Sequence, residues 1–221
     1  MSAKFPNLAI CIGTIDDVQI EKENEQIKRL RASVYEEVKS KYDVETLKNN
    51  ATVRAYRDFY WKLNVDPTKT RPSGEALLRR VLHGDALPQI SPVVDAYNLA
   101  SMKTIIPISG FDKDSLQPPL HVRFAENEEP FAGIGLDKTL ALTDRTLVLA
   151  DEKQVLCIYP YRDSDKTKIT KQTKNLMIIG YGAPKIPEEQ LNDAVKTTLS
   201  YITQVTSGKI GTIKVFNSTP K

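Results

Sequence analysis

Residues 7–15 form a nearly unbroken apolar run rich in β-branched side chains, followed by Asp16 and Asp17, and this pattern predicts a buried strand. Ile27, Leu30, Val34 and Val38 then recur at i, i+3, i+7 and i+11 between charged residues, the stripe of an amphipathic helix. Residues 44–63 predict a second helix with Val53, Tyr56, Tyr60 and Leu63 on one side. Pro67 and Pro72 bracket a non-helical stretch. Ser73 is expected to cap a short helix with Ala76, Leu77, Leu78, Val81 and Leu82 as its buried face, stopping at Gly84. Ser91 and Pro92 open another helix, with proline in its first turn and Val93, Val94, Tyr97, Leu99 and Met102 along it.

Beyond Pro107 the period shortens. Strand-length runs are expected at 121–125, 131–136, 140–142, 146–150, 155–161 and 176–179, separated by polar or glycine-containing turns. A helix from 187 to about 206 carries Leu191, Val195, Leu199 and Ile202, and residues 209–216 read as a closing strand. Helices gathered in the first half and strands in the second predict an α+β domain with mostly antiparallel pairing. No repeat, low-complexity tract or linker divides the chain, so residues 1–221 are expected to form one domain.

Composition narrows the functional classes. A chain of 221 residues is long enough for a real core, and 40% hydrophobic with 27% charged residues is ordinary for a globular protein. The apolar runs are too short to span a bilayer, and residues 1–5 hold one lysine and no cleavable apolar region. The expectation is a cytoplasmic protein with no membrane partner. Cys11 and Cys157 both sit in apolar strands and are expected as buried, reduced thiols. The net charge of +3 says little, but its distribution says more. Residues 54–80 hold seven basic and three acidic side chains, and residues 162–174 hold five and two. Each stretch reads as a solvated face or, if the fold brings the two together, as a phosphate-contacting rim.

Common chemistries leave no signature. There is no phosphate-cradling glycine loop with its lysine, and two isolated histidines with two distant cysteines assemble no metal site. No cofactor is implied. His83 reads as a helix-end residue, His121 as structural, and Trp61 as part of the core.

Three blocks carry more. The first runs over residues 56–80 and includes Arg71, Pro72, Ser73, Gly74 and Glu75. The second has Val93, Val94, Asp95 and Asn98, followed by Pro107, Ile108, Ser109, Gly110, Phe111 and Asp112. The third covers residues 147–151 and 171–176. Together they resemble the B3/B4 domain family, the editing domain of phenylalanyl-tRNA synthetase β subunits and its freestanding relatives, over residues 56–182. The resemblance implies a three-layer α+β fold with two packed, mostly antiparallel β layers and a helical layer. Within synthetases it also implies a pocket that hydrolyses wrongly attached tyrosine from tRNA for phenylalanine. Asp95 and Asn98 match the family's helix positions. Phe111 and Asp112 follow the position of the editing histidine, which is Ser109 here. Thr173 and Asn175 match near the end, whereas the synthetase glycine-glycine-glutamate has no clean match, the corresponding stretch being Tyr161, Arg162, Asp163, Ser164 and Asp165.

Ester hydrolysis needs an oriented water, a proton acceptor and donors for the oxyanion. Ser109 can orient water, Asp163 or Asp165 can accept a proton if burial raises its pKa, and the amides at Ser109 and Gly110 are candidate donors. The catalytic candidates are therefore Ser109, Asp163 and Asp165. The candidates for binding are Asp95, Asn98, Gly110, Phe111, Arg162, Ser164 and Thr173, with Arg71, Ser73 and Glu75 at a helix start where free amides meet an anion. Structural readings stand beside these: residues 107–112 as a turn in which Asp112 caps the next amides, and residues 71–75 as a helix start. Three functions stay open. One is a binding protein for tRNA or for an aminoacyl or amino-acid-like ligand; another is a trans-acting editing hydrolase that deacylates mischarged aminoacyl-tRNA. The last is an enzyme acting on some other small substrate.

Overall fold

The computed structural model describes residue 5 and residues 7–21 and 24–218, so residues 1–4, read above for a leader, lie outside the described residues. The chain runs β1 (Ala9–Asp16), α1 (Glu25–Lys41), α2 (Ala51–Lys62), α3 (Ser73–Leu82), α4 (Pro92–Thr104) and β2 (Ile108–Asp112). Next come β3 (His121–Phe124), β4 (Glu129–Phe131), β5 (Leu140–Leu142), β6 (Leu147–Ala150), β7 (Val155–Ile158), β8 (Arg162–Asp163), β9 (Leu176–Tyr181), α5 (Glu188–Val205) and β10 (Lys209–Asn217). One sheet has the order β10-β1-β9-β2 and a second has the order β3-β6-β7-β8, with β4 and β5 as a separate hairpin. All the pairings are antiparallel. This is the expected α+β architecture.

Strand alternation explains the layers. In the first sheet Cys11, Gly13, Ile178 and Gly180 share one face, and Ile12, Ile179, Tyr181 and Ser109 share the other. α5 lies on the first of these faces. A Cβ at Gly13 would come within 2.6 Å of Val195 Cγ1, and one at Gly180 within 3.0 Å of Val195 Cγ2, so the two glycines let the helix seat closely. The opposite face carries Ser109 and Tyr181 toward the second sheet. That sheet in turn buries Val148, Ala150 and Ile158 against Phe131 and Leu142 of the β4–β5 hairpin, a small core of its own. Helices, first sheet and second sheet are thus three layers.

Aromatic side chains lock the layers together. Phe59 of α2, Tyr159 and Tyr181 meet edge to face, with ring centroids 6.1 and 5.0 Å apart in turn. The Tyr159 hydroxyl donates to the Gly182 carbonyl at 2.8 Å, and the Tyr56 hydroxyl donates to the Tyr181 carbonyl at 2.7 Å.

The structure differs from the sequence reading in five local places. The strand expected over 131–136 ends at Phe131, because Gly135 takes a positive φ of 76° and Leu136 N–H turns back to donate to the Gly133 carbonyl at 3.1 Å. The helix expected over 44–63 begins only at Ala51. Asp43 bends the chain by accepting from the amides of Glu45 and Thr46, and Asn50 then caps α2 by accepting from Thr52 and Val53. Ser73 is the first residue of α3 rather than its cap; Pro72 holds that position and starts the ladder by accepting from Ala76 N–H at 2.9 Å. The turn expected at 107–112 is strand β2, because β9 offers it a continuous partner from Ile108 to Asp112. Asp112 still caps, accepting from the Asp114 amide at 3.1 Å. Trp61 is 56% exposed rather than core, since Tyr56, Phe59 and Tyr60 fill the inward face of α2.

Glu75 has no solvent exposure and is gripped by Arg57 Nε at 2.8 Å and Arg79 Nε at 2.7 Å. Burial alone would raise its pKa, but the two guanidinium groups outweigh burial and hold it below the ordinary glutamate range. Its stabilising contribution is therefore present at neutral pH and lost as pH falls through the depressed folded value. Glu75→Ala strands two arginines and should cost about 3 kcal/mol in urea unfolding at pH 7. The difference from wild type should shrink in acid.

Candidate functional site

β2 and β8 bring the central residues together. Ser109 Oγ donates to Asp163 Oδ1 at 2.7 Å, a bond that crosses from the first sheet to the second. Ser109 is only 5% exposed, while Asp163 is half-buried. Register places Cys157 directly opposite Asp163 on β7, so thiol and carboxyl share a face. The Cys157 thiol donates to the Ile158 carbonyl at 3.2 Å. The Tyr181 hydroxyl lies beside Ser109 and Cys157 without hydrogen-bonding either, and the Tyr60 hydroxyl is likewise buried with no protein partner. Tyr161 closes the cluster, its ring centroid 6.0 Å from that of Tyr60.

This enclosure sets the electrostatics. Burial pushes the Asp163 carboxyl up to about 6, against the lowering effect of the Ser109 hydroxyl and the Cys157 thiol. Burial also raises Cys157 well above the ordinary thiol range, with the Asp163 charge adding to it, so the thiol stays protonated. Tyr97 of α4 is raised by burial and then by the charges of Asp163 and Asp95. A carboxyl that titrates near pH 6 can accept a proton at neutral pH or donate one just below it. The seam therefore has the makings of an acid–base pair or a polar recognition site.

The other candidate residues occupy varied positions. Gly110 lets Tyr97 approach β2, since a Cβ there would lie 3.0 Å from Tyr97 Cε1 and 2.7 Å from Ile169 Cδ1. Phe111 is fully buried in the main core. Both oxygens of Asp95 are taken, one by Arg31 at 2.9 Å and one by the Ile90 amide at 2.9 Å. Asn98 is half-buried on α4. Thr173 donates to Asp112 Oδ2 at 2.7 Å and pins the 170–173 turn to the end of β2. Ser164 caps the next turn by accepting from the Lys166 amide. Arg162 donates to the Ile134 carbonyl at 3.0 Å. Asp165 is exposed and paired with Lys168 at 2.7 Å, so of the two acidic candidates only Asp163 faces Ser109. Arg71 is exposed and Ser73 half-buried at the start of α3. Cys157, Tyr181, Tyr60 and Tyr97 escaped the sequence reading because each looks like ordinary core until the two sheets face each other.

Among the described residues no group of three or more His, Cys, Asp or Glu could hold a metal ion. No helix among them is long and apolar enough to cross a membrane.

A two-sheet α+β domain with a polar seam between its sheets, walled by tyrosines, is the class these features define. The chain belongs to the B3/4 domain family, which it matches over residues 55–204. It is 31% identical over 116 residues to the phenylalanine–tRNA ligase beta subunit of Haemophilus ducreyi, covering 52% of this chain and 14% of that one. The corresponding subunit of Neisseria meningitidis serogroup B is 30% identical over 124 residues, covering 56% of this chain and 15% of its own. That of Francisella tularensis is 32% identical over 119 residues, covering 53% and 15%. The chain thus spans about one-seventh of the length of these relatives. Among solved structures, an N-terminal fragment of the phenylalanyl-tRNA synthetase beta subunit from Pyrococcus horikoshii aligns with 91% of this chain and 46% of its own, at a TM-score of 0.49 and 15% identity.

The raised Asp163 value has a sign opposite to that of the depressed Glu75. The native state binds the proton more tightly than the unfolded chain does. This contribution to stability is therefore full below about pH 4 and is lost as pH rises through about 6. Asp163→Asn should gain stability relative to wild type between acid and neutral pH, measured as the shift in urea midpoint at the two ends of that window. An unchanged difference would mean that Asp163 titrates normally.

Proposed function

We propose that this chain is a B3/4-domain binding protein that recognises an aminoacyl or amino-acid-like group, free or carried on tRNA, at the seam between its two sheets. The observation that carries the reading is the 2.7 Å bond from Ser109 to Asp163, because it joins the position matching the family's editing histidine to an acidic group with a raised pKa. The unpartnered hydroxyls of Tyr60 and Tyr181 support it, since buried polar groups ordinarily find partners and a ligand's polar atoms would supply them. On this reading the partner is tRNA or aminoacyl-tRNA and the compartment is the cytoplasm.

A second reading is deacylation in trans. Asp163 favours it, because a carboxylate with a pKa near 6 is a competent general base for water at neutral pH. Ser109 cannot exchange protons near pH 7 as histidine does and can only position water or ligand.

The two readings divide on one experiment. Incubated with mischarged aminoacyl-tRNA, the native protein is expected to release the amino acid slowly or not at all, while Ser109→Ala weakens ligand binding more than it alters rate. Ser109→His, placed beside Asp163, should raise any weak hydrolysis by about 10²-fold or more, the range of general acid–base assistance. Brisk native deacylation that collapses in Ser109→Ala would replace the binding reading with the hydrolase.

A further inference from the structure

The two edges of the first sheet end differently. β2, at one edge, carries the bond to β8 and a bridge from Phe111 to Lys168. β10, at the other, has no strand outside it among the described residues. The pairing shows which of its backbone groups stand open. Ser218 N–H donates to the Leu8 carbonyl at 2.9 Å, and further along Phe216 lies opposite Ile10 and Lys214 opposite Ile12. Bonded and non-bonded pairs alternate in an antiparallel ladder, so Phe216 and Lys214 bond to β1 while Val215 and Ile213 turn N–H and C=O outward. Gly182 N–H donates to the Ala9 carbonyl, also at 2.9 Å, which sets the same phase from the β9 side.

A cavity of about 510 Å³ lies beside that open edge, between β10 and the start of β3. Ile10, Ile12 and Phe216 line it from the first sheet, and Pro119, Leu120 and Val122 from the second. Phe216 is 50% exposed there. Among the described residues of the lining, Lys214 alone is charged. Lys214 and Phe216 share the cavity face of β10, since Ile12 and Ile10 opposite them lie on the face away from α5. Strand addition needs open main-chain groups for hydrogen bonds and a hollow beside them for every second side chain, and both meet at β10.

Charge decides the occupant. β10 carries Lys209 and Lys214 and no Asp or Glu. A second copy pairing through β10 would gather two lysines from each chain in one ribbon with no carboxylate among them, and edge lysines of this kind oppose self-pairing. A segment that brings a carboxylate meets the opposite charge instead. We propose that β10 and its cavity take up an extended segment of a partner protein as a fifth strand of the first sheet. That segment sets an acidic side chain beside Lys214 and, next but one along it, an apolar side chain beside Phe216. Its main chain bonds to Ile213 and Val215. This surface is independent of the ligand at the Ser109–Asp163 seam, which lies at the opposite edge of the sheet.

The test selects random-sequence peptides displayed on phage against the immobilised full chain. The enriched peptides, synthesised with a fluorophore, are then titrated by anisotropy against wild type and variants. They are expected to carry an acidic residue next but one to an apolar residue. Lys214→Glu should weaken them by about fivefold or more, and exchanging the peptide's acidic residue for lysine should restore the loss. Val215→Pro removes an outward N–H without touching the bonds to β1 and should weaken them by about tenfold. Methylating alternate amides of the peptide should do the same with the protein unchanged, so the test holds even where Val215→Pro fails to fold. Lys39→Glu, an equal charge change on the exposed face of α1, should bind as wild type. A library that yields no enriched peptide overturns the proposal. So do peptides whose affinity Lys214→Glu and amide methylation both leave within about twofold. A wild-type protein that sediments as a dimer, and as a monomer once Val215 is replaced, overturns the choice of occupant and makes a second copy the partner of β10.

Discussion

The bond between Ser109 and Asp163 is the contact on which the arrangement of this site turns. Each sheet is internally satisfied by its own ladder, so what fixes one against the other is side-chain chemistry across the gap. There the fold places a hydroxyl from an edge strand against a carboxyl from the two-residue strand β8. The carboxylate carries a desolvation cost that the Ser109 hydroxyl and the Cys157 thiol do not fully offset, and its pKa rises in consequence. The aromatic chain from Phe59 through Tyr159 to Tyr181 keeps the two sheets at the spacing that the bond requires. Gly110 has a similar role on the other side, letting Tyr97 come up against β2.

Much of the fold is legible in the chain because it depends on local periodicity. The stripe of Ile27, Val34 and Val38 is the buried face of α1, and Leu191, Val195, Leu199 and Ile202 are that of α5. The reading fails where a polar side chain competes with the backbone or where a partner comes from far away. Asp43 and Asn50 divert the chain before α2 by offering their own oxygens to nearby amides. β2 looks like a turn in isolation, since its glycine and terminal aspartate suit one, and becomes a strand only because β9 lies next to it.

The candidate site was legible to the extent that it repeats a family pattern. Ser109 and Asp163 stand out when the blocks are compared with the B3/B4 domains they resemble, but nothing in the sequence separates Asp163 from Asp165. The structure separates them through burial and direction, one carboxyl turned inward and the other paired with Lys168 at the surface. Cys157, Tyr60 and Tyr181 gave no sequence signal, because their chemistry comes from a meeting of strands far apart in the chain. The basic stretches were a weaker guide still. Within 54–80 two of the arginines, Arg57 and Arg79, are committed to Glu75.

Burial holds Asp163 at an unusual pKa in the site proposed to take the ligand. Carbon-13 NMR of the labelled aspartate carboxyls across a pH series measures it directly, with Asp163→Asn to assign the resonance. One carboxyl should titrate near pH 6, be missing in the variant, and shift its titration when a non-hydrolysable aminoacyl-adenosine analogue is added. An Asp163 resonance that titrates in the ordinary aspartate range and does not respond to the analogue would contradict the account.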